Sequence, residues 1–175
     1  MSLQVVSMAV DVFRPDDWHD FFLLVGTGAV TLTGLIFVAL TIHLRDITGD
    51  VVRRSRALGS LTGLTVVFLQ SAAALLPGQS HGLLGLELLL LAVLGLSLFL
   101  RGVYQTVTTK PTAPAYNWPR ALWGVGLYLV EIAGAAIFVA GQIAGLYVVA
   151  VGIAANIFFI VTGAWLLVAG PATKS

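Results

Sequence analysis

The sequence predicts an all-α integral membrane protein, a single bundle of five transmembrane helices over residues 1–175, on three observations. First, 58% of its residues are hydrophobic and only 10% charged, with a mean hydropathy of +0.99. A water-soluble domain needs about 25% charged residues to solvate its surface. Second, five apolar stretches stand out, each at or near the ~20 residues that cross a bilayer. Third, the basic residues fall almost wholly in alternate connecting segments, which would share one side of the membrane.

The elements follow in order. Pro15 with Asp16 and Asp17 opens the first helix, placing carboxylates at the positive end of its dipole. Its apolar stretch runs from Phe21 to Ile42, and the span is expected over 17–44. The residues before it lack the form of a signal peptide, because Asp11, Arg14, Asp16 and Asp17 interrupt any apolar core. Val5 to Phe13 suit a short interfacial helix. The second span, 54–76, closes on the Pro77-Gly78 turn. The third covers 82–106 and leads into a segment from Thr106 to Tyr116 with four threonines and two prolines, read as an irregular loop. Asn117-Trp118-Pro119 opens the fourth, 119–140, and Gly141-Gln142 turns the chain into the fifth, 143–169.

Arg45, Arg53, Arg54, Arg56, Arg101, Arg120, Lys110 and Lys174 would share one side of a five-span chain, leaving Arg14 alone on the other. By the positive-inside rule the N-terminus is expected outside and the C-terminus inside. Trp118, Trp123, Tyr104 and Trp165 fall near the inner boundary and Trp18 near the outer one, as an aromatic belt would.

Lipid gives no hydrophobic drive between helices, so small residues mark where backbones approach. Gly59 and Gly63 form a GxxxG pair in the second span, with Gln70 on the same face. Gly145, Gly152, Asn156 and Gly163 keep to one stripe of the fifth. Thr27, Thr31, Gly34 and Thr41 line one side of the first, and Gly124, Tyr128, Glu131, Gly134 and Ala135 one side of the fourth. Leu32-Thr33-Gly34-Leu35 recurs as Leu61-Thr62-Gly63-Leu64, so Gly34 and Gly63 are expected to mark the closest approach of the first two spans.

Polar residues within the spans are the candidates for function. Glu131 lies near the middle of the fourth helix, where an ionised carboxylate costs several kcal/mol unless paired. A neutral acid bonded to Asn156, or failing that to Gln70, is expected, with Thr27 and Thr31 as further members of the polar cluster. Glu87, near the start of the third span, is expected to reach the surface. Arg53, Arg54 and Arg56 could hold anionic lipid headgroups as well as fix the topology.

Other chemistry finds no support. With no cysteine, disulfides, thiolate metal sites and thiol nucleophiles are excluded. A net charge of +1 offers no field for a nucleic acid. No HExxH, P-loop or GxSxG motif occurs, and Glu131 has no acidic neighbour at helical spacing. Asp16, Asp17 and Asp20 with His19 read as helix-opening residues rather than metal ligands. No cofactor and no enzymatic activity are expected.

Trp18-His19-Asp20-Phe21-Phe22, followed by Leu32-Thr33-Gly34-Leu35-Ile36-Phe37-Val38-Ala39-Leu40 and an arginine-rich turn, resembles an uncharacterised family of small bacterial multi-pass membrane proteins. Its members are sometimes labelled modulators of a membrane-bound AAA protease. The resemblance covers the first two spans and brings no catalytic residue. The excess of arginine over lysine points to a GC-rich bacterial genome, and hence to the cytoplasmic membrane. The expected role is a non-enzymatic interaction or scaffold protein whose partners are the bilayer and either its own copies or another membrane protein. The alternative is a small oligomeric channel or transporter lined by Glu131 and its polar neighbours.

Overall fold

The computed structural model describes residues 14–42, 49, 51–109 and 118–169. The interfacial helix expected over 5–13 lies outside them. The described residues form five helices: α1 (Pro15–Ile42), α2 (Val51–Ala74), α3 (His81–Thr109), α4 (Trp118–Val139) and α5 (Ala144–Ala169). All five are long and apolar enough to cross a membrane.

Local chemistry sets the helix ends. Pro15 takes the first helical turn, where a missing N–H costs nothing, and Asp16 and Asp17 follow it there. The α2–α3 and α4–α5 turns each need a left-handed residue and have glycine, Gly78 at φ 73° and Gly141 at φ 88°. At Gly141 the Gln142 N–H reaches back to the Ile137 carbonyl at 3.2 Å, the 6→1 bond of a Schellman cap. Ser80 caps α3 by accepting from the Leu83 N–H at 3.3 Å. Part of the loop expected from Thr106 is helical instead, since α3 continues to Thr109. There the hydroxyls of Thr106 and Thr108 each donate to a carbonyl one turn back, at 2.9 Å. Threonine hydroxyls bonded in this way are compatible with helix, and threonine content alone does not signal a loop.

The helices alternate in direction. One end of the bundle carries the two glycine turns and the start of α1. The other carries Arg53, Arg54 and Arg56 at the start of α2, Arg101 late in α3 and Arg120 at the start of α4. We call these the turn end and the arginine end. Helices α2, α3, α4 and α5 form a closed ring in which each packs on the next and α5 returns to α2. Helix α1 lies outside the ring, against α2, and touches α5 lightly. At the turn end Trp18 of α1 meets Tyr147 of α5 edge-on, with ring centroids 4.7 Å apart.

Fully buried apolar side chains fill the ring at the turn end: Leu84, Leu88, Phe138, Leu146 and Val149, with Phe22 of α1 sealing its flank. Large apolar residues such as Leu24, Leu122 and Phe158 point outward. A lipid solvent removes the penalty that water would impose on such a surface.

Candidate functional site

Glu131 sits inside the ring and is 1% exposed. Its two carboxyl oxygens face two neighbouring helices. Asn156 Nδ2 of α5 donates to Oε1 at 3.0 Å, and Gln70 Nε2 of α2 donates to Oε2 at 3.0 Å. Both amide side chains are themselves at most 2% exposed. Three helices are therefore pinned at mid-membrane by one acid and two amides. The Tyr128 hydroxyl, one turn before Glu131, is placed against Asn156 and extends the cluster.

The local sequence explains why these side chains meet. Gly152 lies one turn before Asn156, and a Cβ there would stand 2.7 Å from Glu131 Cγ. Only glycine leaves room for the acid's stem. Gly134 and Gly145 bring the α4 and α5 backbones together one turn farther on: a Cβ on Gly134 would lie 2.8 Å from the Val149 nitrogen. The expected bond between Asn156 and Glu131 is therefore present and direct, and Gln70 adds a second.

Gln70 Oε1 is buried with no hydrogen-bond partner among the described residues. Turning that amide over would set Oε1 against Glu131 Oε2 in place of Nε2. The site can thus meet a carboxyl group that accepts twice, or one that accepts from Asn156 and donates to Gln70.

Several expected members stand elsewhere. Thr27 and Thr31 are exposed, and the Thr31 hydroxyl donates to the Thr27 carbonyl of its own helix at 2.9 Å. They are not part of the cluster. Gly34 is exposed too, and a Cβ there would meet nothing within 4 Å. It does not mark an approach of α1 to α2. Gly63 turns instead into the ring, against Ile160 of α5 and the Tyr128 hydroxyl. The reason is angular: α1 buries Phe22, Val25, Ala29 and Ile36, and Gly34 lies about 140° round the helix from Ala29. Shared depth did not mean a shared face. The α1–α2 contact runs through Gly26, whose Cβ would lie 3.0 Å from that of Ser71. Gly59 is also open, with nothing within 4 Å, so it is not a packing position.

Gly163 does pack, but against a charged side chain. The Arg120 guanidinium occupies the space a side chain would need there. It donates to the Phe159 carbonyl at 2.7 Å and lies 4.3 Å from the centre of the Phe159 ring. The sequence reading missed this tie between α4 and α5; the only signal was an arginine and an aromatic residue at one depth. Of the arginines expected to meet lipid headgroups, Arg54 is exposed, while Arg53 and Arg56 are half-buried. Glu87 is held from the turn by Gln79, which donates to it at 2.6 Å. His19 lies 3.1 Å from Asp20, both exposed, and among the described residues no three His, Asp or Glu side chains are placed to share an ion.

No family model, no curated protein and no solved structure matches this chain.

Proposed function

We propose that this protein is a non-enzymatic scaffold of a bacterial cytoplasmic membrane, with its N-terminus outside and its C-terminus inside, that works by helix contact with its own copies or with another membrane protein. The observation that carries this reading is the closure of Glu131. A mid-membrane acid is by default a functional residue, yet both oxygens of this one are engaged by buried amides. On the turn side lies the apolar layer of Leu84, Leu88, Phe138 and Leu146. A conducting path would have to wet that layer. The acid is spoken for as a fastening of the fold.

The outward face of α1 supplies the contact surface. Thr27, Thr31 and Gly34 lie on it at helical spacing, and Gly28 and Gly34 leave open space where side chains would stand. Small residues on a lipid-facing helix let a second backbone come close. The resemblance read from the sequence of the first two spans, to a family sometimes labelled modulators of a membrane protease, is an expectation that would suit a partner of that class.

The absence of cysteine makes the test direct. Single cysteines at Gly34 and, as a control, at Leu122 are expected to differ under a bifunctional thiol reagent in native membranes. The Gly34 variant should form a discrete cross-linked species, and Leu122 should not. Equal or absent cross-linking at both would remove the α1 face as the contact surface. The same approach checks orientation: an impermeant thiol reagent should reach a cysteine at Gln142 from outside the cell and miss one at Thr109.

A further inference from the structure

A cavity of about 220 Å³ lies within the ring at the arginine end and reaches down to Tyr128 and Asn156. Six residues of its wall are exposed: Leu58, Gly59 and Thr62 of α2, and Leu98, Arg101 and Gln105 of α3. Its wall residues from α4 and α5 are all buried or half-buried. The cavity therefore opens sideways along the α2–α3 seam, with α4 and α5 as its back wall. In a bundle that crosses a membrane such a seam meets lipid. Arg101 and Gln105 stand nearer the arginine end. Farther in, Leu58, Gly59 and Leu98 bring no polar side chain, and the Thr62 hydroxyl donates to the Leu58 carbonyl of its own helix at 2.7 Å. A solute entering there comes from the bilayer.

The chemistry of the slot changes along its length. Tyr128 and Asn156 make a polar floor, Phe99, Phe159 and Ile160 an apolar middle, and Thr106 and Arg120 stand toward the arginine end. Three aromatic rings pack together: Phe99 lies edge-on to Phe159 with centroids 6.2 Å apart, and 5.9 Å from Tyr128. Gly95 leaves room for this, since a Cβ there would stand 2.6 Å from Tyr128 Cε1. Aromatic walls suit another ring, packed edge-on or offset. The Tyr128 hydroxyl meets Asn156, but a hydroxyl has one donor and two acceptor positions, so that contact leaves it able to bind again. An alkyl chain would leave that capacity unused. As to size, an apolar cavity of about 150 Å³ takes one benzene ring. This one has room for a ring and its substituents.

We propose that the slot binds the ring of a membrane-dissolved compound of the quinone–quinol class. The ring enters through the α2–α3 seam, sets one oxygen on the Tyr128 hydroxyl and lies against Phe99 and Phe159. That hydroxyl donates to a quinone carbonyl or accepts from a quinol. A ring with oxygens at opposite ends is polar at both ends and apolar between, as the slot is. The site stands apart from the α1 contact surface and does not depend on it.

The test uses the full-length chain in phosphatidylcholine nanodiscs, with melting followed by circular dichroism. The probes are trimethylbenzoquinone and trimethylhydroquinone, and the chain has no cysteine for a quinone to alkylate. At least one of them should raise the melting temperature saturably. Trimethylbenzene, a ring without oxygen, and decanol, a chain with one hydroxyl, should each need at least about tenfold more for the same shift, the difference one hydrogen bond makes. Tyr128→Phe should weaken the response to the oxygenated probe about tenfold and leave that to trimethylbenzene unchanged, a split that lost packing would not produce. Gly59→Leu is a second route that spares the floor, since Gly59 lines the seam and has open space around its Cβ position. It should weaken the response to both rings by at least about tenfold while the fold stays intact. Leu122→Phe, on the outer face of α4 and away from the cavity, should change neither response. The proposal is overturned if neither oxygenated probe shifts the wild-type protein, or if trimethylbenzene or decanol acts as strongly. It is equally overturned if Tyr128→Phe or Gly59→Leu responds as wild type does, or if Leu122→Phe loses as much as they do.

Discussion

The two ends of the bundle use glycine differently. Toward the turn end, the α4–α5 glycines are met by backbone: Gly134 faces the Val149 nitrogen and the Gly145 carbonyl, and Gly145 faces Gly134 and Phe138, while Gly85 meets both the side chain and the nitrogen of Val139 and Gly26 meets the Ser71 side chain. Toward the arginine end glycines are met by side chains that can turn: Ile160 at Gly63, Tyr128 at Gly95, Arg120 at Gly163 and Ser55 at Gly102. The first end is a rigid contact of main chains, closed over by apolar residues. The second is a looser assembly around a cavity. One residue type therefore does two jobs, and the neighbouring atoms decide which.

The largest expected effect breaks the rigid end. Gly145→Ala or Gly134→Ala must push α4 from α5, because backbone atoms cannot rotate away. Each should lower stability by about 1–3 kcal/mol in unfolding from mixed micelles, outweighing the ~1 kcal/mol that alanine gains in helix propensity. Little change at either position would mean that the α4–α5 contact is not tight.

Next comes the fastening between the two ends. Glu131→Leu should lower stability by about 1 kcal/mol, as measured intramembrane hydrogen bonds suggest, because it leaves two buried amides unpaired. Glu131→Gln should be neutral or better. An amide accepts from Asn156 and can donate to Gln70 Oε1, the atom that now lacks a partner. A Glu131→Gln loss as large as that of Glu131→Leu would show that the acid does something an amide cannot.

The smallest effect sharpens the comparison. Gly59→Ala meets nothing within 4 Å, so only propensity changes. A gain of up to about 1 kcal/mol is expected in the same unfolding assay. A loss there would mean that the cavity wall is tighter than it stands.

The number and type of elements were legible in the sequence, because spanning length and the absence of charge are set by the bilayer. The Glu131 cluster was legible in part. Glu131 and Asn156 each sat on a small-residue stripe on either side of a short turn, and Gln70 shared the Gly63 face. The orientation of α1 was not legible. In lipid, an apolar residue suits both the core and the outside, so the contrast that reveals a buried face in water is missing. Thr27, Thr31 and Gly34 look like an interior stripe, yet they face outward because threonine hydroxyls can be satisfied by their own helix. The Arg120–Phe159 tie was illegible for a different reason. It depends on how α4 and α5 rotate about their axes, which the Gly134–Gly145 contact fixes.

The central claim is that Glu131 fastens the fold and carries no ion or proton. Flux across proteoliposomes, with a pH-sensitive dye inside and an imposed proton or potassium gradient, tests it most directly. Wild type, Glu131→Gln and empty liposomes should leak at the same rate, while Glu131→Gln keeps the wild-type melting temperature. A protein-dependent flux in wild type that Glu131→Gln abolishes, with the fold intact, would contradict the account and make Glu131 part of a path.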